Sequence, residues 1–162
     1  MSTENVSLVR AFYDYAAGRD LVEALDDEEF VAAGHSAFDH IAGPDFEFVL
    51  VRGDVGEQGV YPGPQGLVSG MRDWLASFRT YVSDIEDVID LGERVIVLTD
   101  ERGVSRGGEV PVRQRGAAIW TFRGDRVSRI ETYLQRNAAF QTLAEGEQEQ
   151  LARAGLRVGP AT

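Results

Sequence analysis

Cysteine is absent from the 162-residue chain, which excludes disulfides, thiol nucleophiles and thiolate metal sites while leaving the redox compartment open. Lysine is absent too: all 16 basic residues are arginine, so chemistry through a lysine Schiff base is excluded. The only histidines are His35 and His40, and their i, i+5 spacing does not match the i, i+4 pair that a helix offers a metal, so no metal site is expected. No apolar run approaches the roughly 18 residues of a membrane span. The stretch from Met1 to Asp20 mixes charged and apolar groups and lacks the basic start and apolar block of a secretory signal, so the cytoplasm is the expected compartment and no membrane partner is expected. Basic residues are outnumbered 16 to 27 by acidic ones, for a net charge of −11, and no basic stripe interleaves with aromatics; nucleic acid is not an expected partner. No glycine pattern of the P-loop or dinucleotide kind occurs, so no cofactor is expected.

What remains is an ordinary globular composition, 43% hydrophobic and 27% charged, of a length that suits one domain. Ser2 or Thr3 can cap a first helix carrying Val6, Val9, Tyr13 and Ala16, with Gly18 as its stop. Asp20 opens a second helical stretch through Leu21, Leu25, Phe30 and Val31; Gly34 is expected to break it, Ser36 to cap a short turn, and Pro44 to end the helical region. Phe46 to Val51 reads as a strand followed by a glycine-rich loop from Gly53 to Gly59. Pro64 then starts a third helix, whose apolar side runs Leu67, Val68, Met71, Trp74, Leu75 and Phe78. From Ser83 the period changes to two. Ser83 to Leu91, Arg94 to Val104, Pro111 to Phe122 and Arg126 to Leu134 read as four strands joined by turns at Gly92-Glu93, Gly107-Gly108 and Gly124-Asp125, and Asn137 to Ala154 reads as a helical tail. Helices followed by a meander of strands give an α+β order.

Two motifs dissolve on inspection. Gly103-Val-Ser-Arg-Gly107 matches the nucleophile elbow G-x-S-x-G, but that motif needs a strand-to-helix turn and here lies between strands. Arg52-Gly-Asp54 and Arg123-Gly-Asp125 are ordinary turn chemistry. The strands carry more. Gly116, Ala118, Trp120 and Phe122 share one face, and on the following strand Ile130, Thr132 and Leu134 share another. Along Arg94 to Val104, a face of Ile96 and Leu98 runs into Asp100 and Arg102. If that face is the buried one, Asp100 is raised in pKa by desolvation and lowered by the guanidinium, a balance that suits a general base; the alternative is a structural ion pair.

The order of elements, the segment Val60-Tyr-Pro-Gly-Pro-Gln-Gly66 before an aromatic helix, and Ile119-Trp-Thr-Phe-Arg-Gly-Asp-Arg-Val127 followed by Ile130-Glu-Thr-Tyr133 resemble the SnoaL-like branch of the NTF2-like superfamily over about Val6 to Phe140. The resemblance implies a cone-shaped α+β fold, a curved antiparallel sheet wrapped around helices with an internal pocket, paired into homodimers through the outer sheet face. It makes residues 1–144 the domain, with an insertion near 21–35, and residues 145–162 an added helical tail. Proteins that resemble this chain include polyketide cyclases, ketosteroid isomerases, epoxide hydrolases and many of no known activity, so the resemblance does not fix the reaction. The polar positions of the isomerases fall on Phe12, Leu50 and Ala118, with Tyr13 one residue from the first, and the aspartate of the cyclases and epoxide hydrolases falls on Thr132.

The expectation is therefore a pocket protein for a small hydrophobic ligand, acting as an acid/base enzyme of the cyclase, isomerase or epoxide-hydrolase type; the alternative is a non-catalytic ligand-binding or dimerisation domain. Asp100 is expected to act as base or acid and Arg102 to orient it or hold an oxyanion. Phe12, Tyr13, Trp74, Phe78, Gln114, Ala118, Trp120, Ile130, Thr132 and Leu134 are expected to line the substrate site.

Overall fold

A computed structural model describes residues 2–52 and 57–156. Helix α1 spans Ser2–Tyr15. Asp20 caps α2 (Leu21–Asp26) by accepting a hydrogen bond from the Val22 amide, and Asp27 caps α3 (Glu28–Asp39) by accepting from the amides of Glu29 and Phe30. The break between these helices therefore falls at Asp27 and not at Gly34. Gly34 and Ser36 lie inside α3, because a side-chain cap that satisfies two free amides fixes a helix start more firmly than one interior glycine opposes it.

Strand β1 (Ala42–Arg52) begins ahead of Pro44, which falls where the pairing shifts register between Ala42 and Glu47. The stretch from Gly53 to Gly59, expected as a glycine-rich loop, runs at its end into β2 (Glu57–Pro62), hairpin-paired to β1; the Arg52-Gly-Asp54 tripeptide runs beyond the described residues. Helix α4 (Gln65–Leu75) starts after Pro64 and ends before Phe78, which instead opens β3 (Phe78–Asp90). Strands β4 (Arg94–Ser105), β5 (Pro111–Arg123) and β6 (Arg126–Tyr133) complete the sheet in the order β2-β1-β6-β5-β4-β3. Neighbours are antiparallel except β1 and β6, which run parallel. The expected tail divides into α5 (Arg136–Gln141) and α6 (Glu145–Arg153).

The curved sheet is packed on both faces. On the inner face, α1 to α4 cover Phe46, Phe48, Leu50, Val95, Val97, Ala118, Trp120 and Ile130. On the outer face, Phe140, Leu143 and Leu151 of the C-terminal segment cover Val49, Ile96, Leu98, Ala117 and Ile119. The tail thus seals part of the face through which the resemblance implies pairing. The rest of that face carries ion pairs: Asp84 with Arg102, Asp100 with Arg113, and Glu86 with Arg115 and Arg136. No helix among the described residues is long and apolar enough to cross a membrane.

Candidate functional site

Between α1 to α4 and the inner sheet face lies a cavity of about 370 Å³, within the range of small-molecule sites. Of the residues expected there, Phe12, Tyr13, Trp74, Ala118, Ile130 and Thr132 line it. Trp120 is fully buried just behind: its ring packs edge-on to Phe12 with centroids 4.9 Å apart, and its indole N–H donates to the Tyr13 hydroxyl at 3.1 Å. Phe78 backs the wall through Tyr81, with ring centroids 4.7 Å apart, and Leu134 packs against the inner core without reaching the cavity. Gln114 acts through Tyr81, to whose hydroxyl its amide donates at 3.3 Å. His35 lines the cavity on α3, and no group of metal-ligating side chains occurs among the described residues.

Asp100 and Arg102 are not in the cavity. Both point to the outer face, where Arg113 holds Asp100 in two hydrogen bonds of 3.1 and 2.9 Å and Arg102 pairs with Asp84. The Arg113 guanidinium, through those bonds, holds the Asp100 carboxyl below the ordinary aspartate value, the opposite of a desolvated base. The inward residues of β4 are Thr99 and Glu101, 5% and 3% exposed. The physical reason is that Val95, Ile96, Val97 and Leu98 are all buried, alternately beneath the inner helices and the outer tail, so the run carries no parity from which an inward face can be read. Asp100→Asn is accordingly expected to change turnover less than about twofold, as surface substitutions away from a working site usually do, and a steady-state assay checks this.

Glu101 lies in the cavity wall because three adjacent strands put its neighbours beside it: its Cα pairs with Ser83 on β3 and Gln114 on β5. Tyr81 donates to its Oε2 at 2.9 Å and Ser83 to its Oε1 at 3.3 Å. Two glycines keep room for the group. A Cβ on Gly116 would come within 3.1 Å of Glu101 Oε2, and one on Gly103 within 2.8 Å of the Tyr81 ring, so the nucleophile-like glycine of the β4 motif serves packing. Burial pushes the Glu101 carboxyl up to about 7, against the opposing pull of hydrogen bonds from Tyr81, Ser83 and Gln114, with a further push upward from Asp100. Burial, reinforced by Glu101, also raises the Tyr81 phenol, which therefore stays a donor at neutral pH.

A carboxyl that gains and loses its proton near neutral pH in a mostly apolar cavity is equipped for general acid/base work. Tyr13 adds a donor. Burial keeps its phenol protonated, its oxygen accepts from Trp120, and its own O–H has no acceptor among the described residues, which leaves it free for a ligand oxygen. Trp74, another wall residue, has a buried indole N–H without a hydrogen-bond partner among the described residues. The sequence does carry a signal for Glu101: a hairpin centred on Gly107-Gly108 pairs Glu101 with Gln114 and Val97 with Ala118, on the face that carries Trp120.

A model of the SnoaL-like domain matches residues 9–130. No protein of curated function matches the sequence. Among solved structures, the chain resembles a putative SnoaL-like polyketide cyclase from Jannaschia sp. CCS1 (TM-score 0.61, 15% identity, covering 82% of this chain and 86% of that one). It also resembles an NTF2-like protein of unknown function from Burkholderia pseudomallei (TM-score 0.60, 19% identity, 87% and 95% covered). A third is TerC, co-crystallised with polyporic acid (TM-score 0.57, 20% identity, 86% and 97% covered). At these identities the likeness establishes the fold.

Proposed function

The chain belongs to the SnoaL-like domain family, and from that premise we propose that it is an acid/base enzyme of small hydrophobic substrates, in which Glu101 takes a proton from the substrate or its attacking water and returns it. The observation that carries the reading is Glu101 itself: a carboxyl 3% exposed in the cavity wall, raised to about 7 by burial, and held by hydroxyl donors that suit its ionised form. Tyr13 supplies a hydrogen bond to the substrate oxygen on which charge develops, and Thr132 a second polar contact. The aromatic and aliphatic walls hold the apolar body of the substrate and exclude water. The polyketide cyclase name of one structural relative agrees with chemistry of this class.

The test is a panel of small apolar ketones and epoxides incubated with the protein, with C–H exchange in D2O and diol formation followed by NMR. For a converted substrate, kcat/KM should rise with pH and level off above a midpoint near 7, the signature of a base that must be ionised. Saturable binding of panel members with no conversion at any pH would instead make the cavity a binding site without chemistry.

A further inference from the structure

We propose that the cavity takes an apolar ligand bearing a positive charge, a hydrophobic ammonium for which the Glu101 carboxylate is the counter-ion. This rests on Glu101 as the working group of the cavity and names the charge class of what it meets. A carboxylate 3% exposed needs compensation, and its partners supply dipoles but no charge: Tyr81 and Ser83 on β3 and Gln114 on β5. The other polar groups that face it or line the same cavity among the described residues are Thr99 on its own strand, Tyr13 and Tyr15 on α1, Thr132 on β6, His35 on α3 and the Trp74 indole N–H on α4. Asp20, which caps α2, accepts from the Tyr81 amide and adds negative charge behind β3, as Asp100 does on the outer face.

Among the described residues no arginine lines the cavity. The arginines beside Glu101 on β4 and β5 pair with carboxylates on the outer face: Arg102 with Asp84, Arg113 with Asp100, and Arg115 with Glu86, which Arg136 shares. A cationic ligand would supply the positive charge that the described residues around Glu101 do not. The walls suit one, because Phe12, Tyr13, Phe38, Phe48 and Trp74 offer aromatic faces that attract a cation desolvated among them. The net charge of −11 favours approach of cations and opposes anions. An anionic ligand would place a second negative charge beside Glu101 with nothing to balance either.

The test compares benzyltrimethylammonium with its neutral isostere neopentylbenzene, binding to the full chain being followed by NMR at about pH 5.5 and about pH 8.5. Benzyltrimethylammonium should bind about 30-fold tighter at the higher pH, the ratio of ionised fractions on either side of a midpoint near 7, while neopentylbenzene changes little. In Glu101→Gln the tightening should vanish while neopentylbenzene still binds, which also reports that the variant is folded; His35, present in both proteins, cancels in the comparison. The inference is overturned if neopentylbenzene matches benzyltrimethylammonium at about pH 8.5, or if the tightening survives in Glu101→Gln. Failure here together with loss of turnover in that variant would leave the enzymatic reading standing; ammonium binding through Glu101 in a protein that converts nothing would support the inference and overturn that reading.

Discussion

Glu101→Gln should lower kcat for any substrate the protein converts by about 10²–10⁴-fold, the usual contribution of a positioned general acid or base. The amide keeps the size of the side chain and one acceptor oxygen for Tyr81 and Ser83, so cavity shape and ligand affinity for neutral compounds should change little. A loss confined to kcat identifies a group that acts in the transition state, whereas a rise in KM alone would make Glu101 a binding residue. The residual pH dependence is equally diagnostic, because Glu101 is the one carboxyl among the described residues that line the cavity.

The second large effect is on stability and has the opposite sign from that of ordinary carboxylates. Glu101 has a folded-state pKa of about 7 against a reference value of 4.5, so between these values the folded chain binds more protons than the unfolded one. Its favourable contribution is complete below about 4.5 and is lost as pH rises through about 7. At 1.36 kcal/mol per pKa unit, the loss is on the order of 3 kcal/mol. Asp100 and Glu147, held low by Arg113 and Arg94, act in the other direction and contribute stability that disappears in acid. Glu101→Gln isolates the one group: relative to wild type it should gain on the order of 3 kcal/mol between about pH 4.5 and about pH 8, read from urea denaturation at each pH. Parallel stability curves for the two proteins would mean that the carboxyl is not desolvated. The same burial that raises the Glu101 carboxyl thus makes the folded protein less stable where that carboxyl is ionised, a common arrangement at functional sites.

The architecture was legible wherever one local rule acted alone. The period-two runs from Ser83 onward and their glycine turns became β3 to β6, and Asp20 became the helix cap that its position suggested. Misreadings came where two rules competed. Gly34 was given the break that Asp27 makes by capping α3, and the glycines around β2 masked a strand that pairing with β1 stabilises. Phe78 followed the apolar spacing of α4 but belongs to β3, where it packs on Tyr81.

Of the ten residues expected at the substrate site, Phe12, Tyr13, Trp74, Ala118, Ile130 and Thr132 line the cavity, and Phe78, Gln114, Trp120 and Leu134 do not. The carboxyl that faces the cavity is one residue from the position that the spacing suggests. In a strand covered on both faces, burial cannot tell Ile96 and Leu98 from Val95 and Val97, and only the hairpin register to β5 distinguishes them. A one-residue error in a strand exchanges its faces, so Asp100 and Arg102 lie outward and Glu101 between them faces the cavity.

The account turns on whether Glu101 is a desolvated carboxyl that titrates near neutrality. The most direct measurement is a pH titration of its side-chain carboxyl carbon by 13C NMR, assigned by the signal missing in Glu101→Gln. A midpoint near 7 is expected; a midpoint near 4.5 would place the group in water and contradict both the proposed chemistry and the pH-dependent stability.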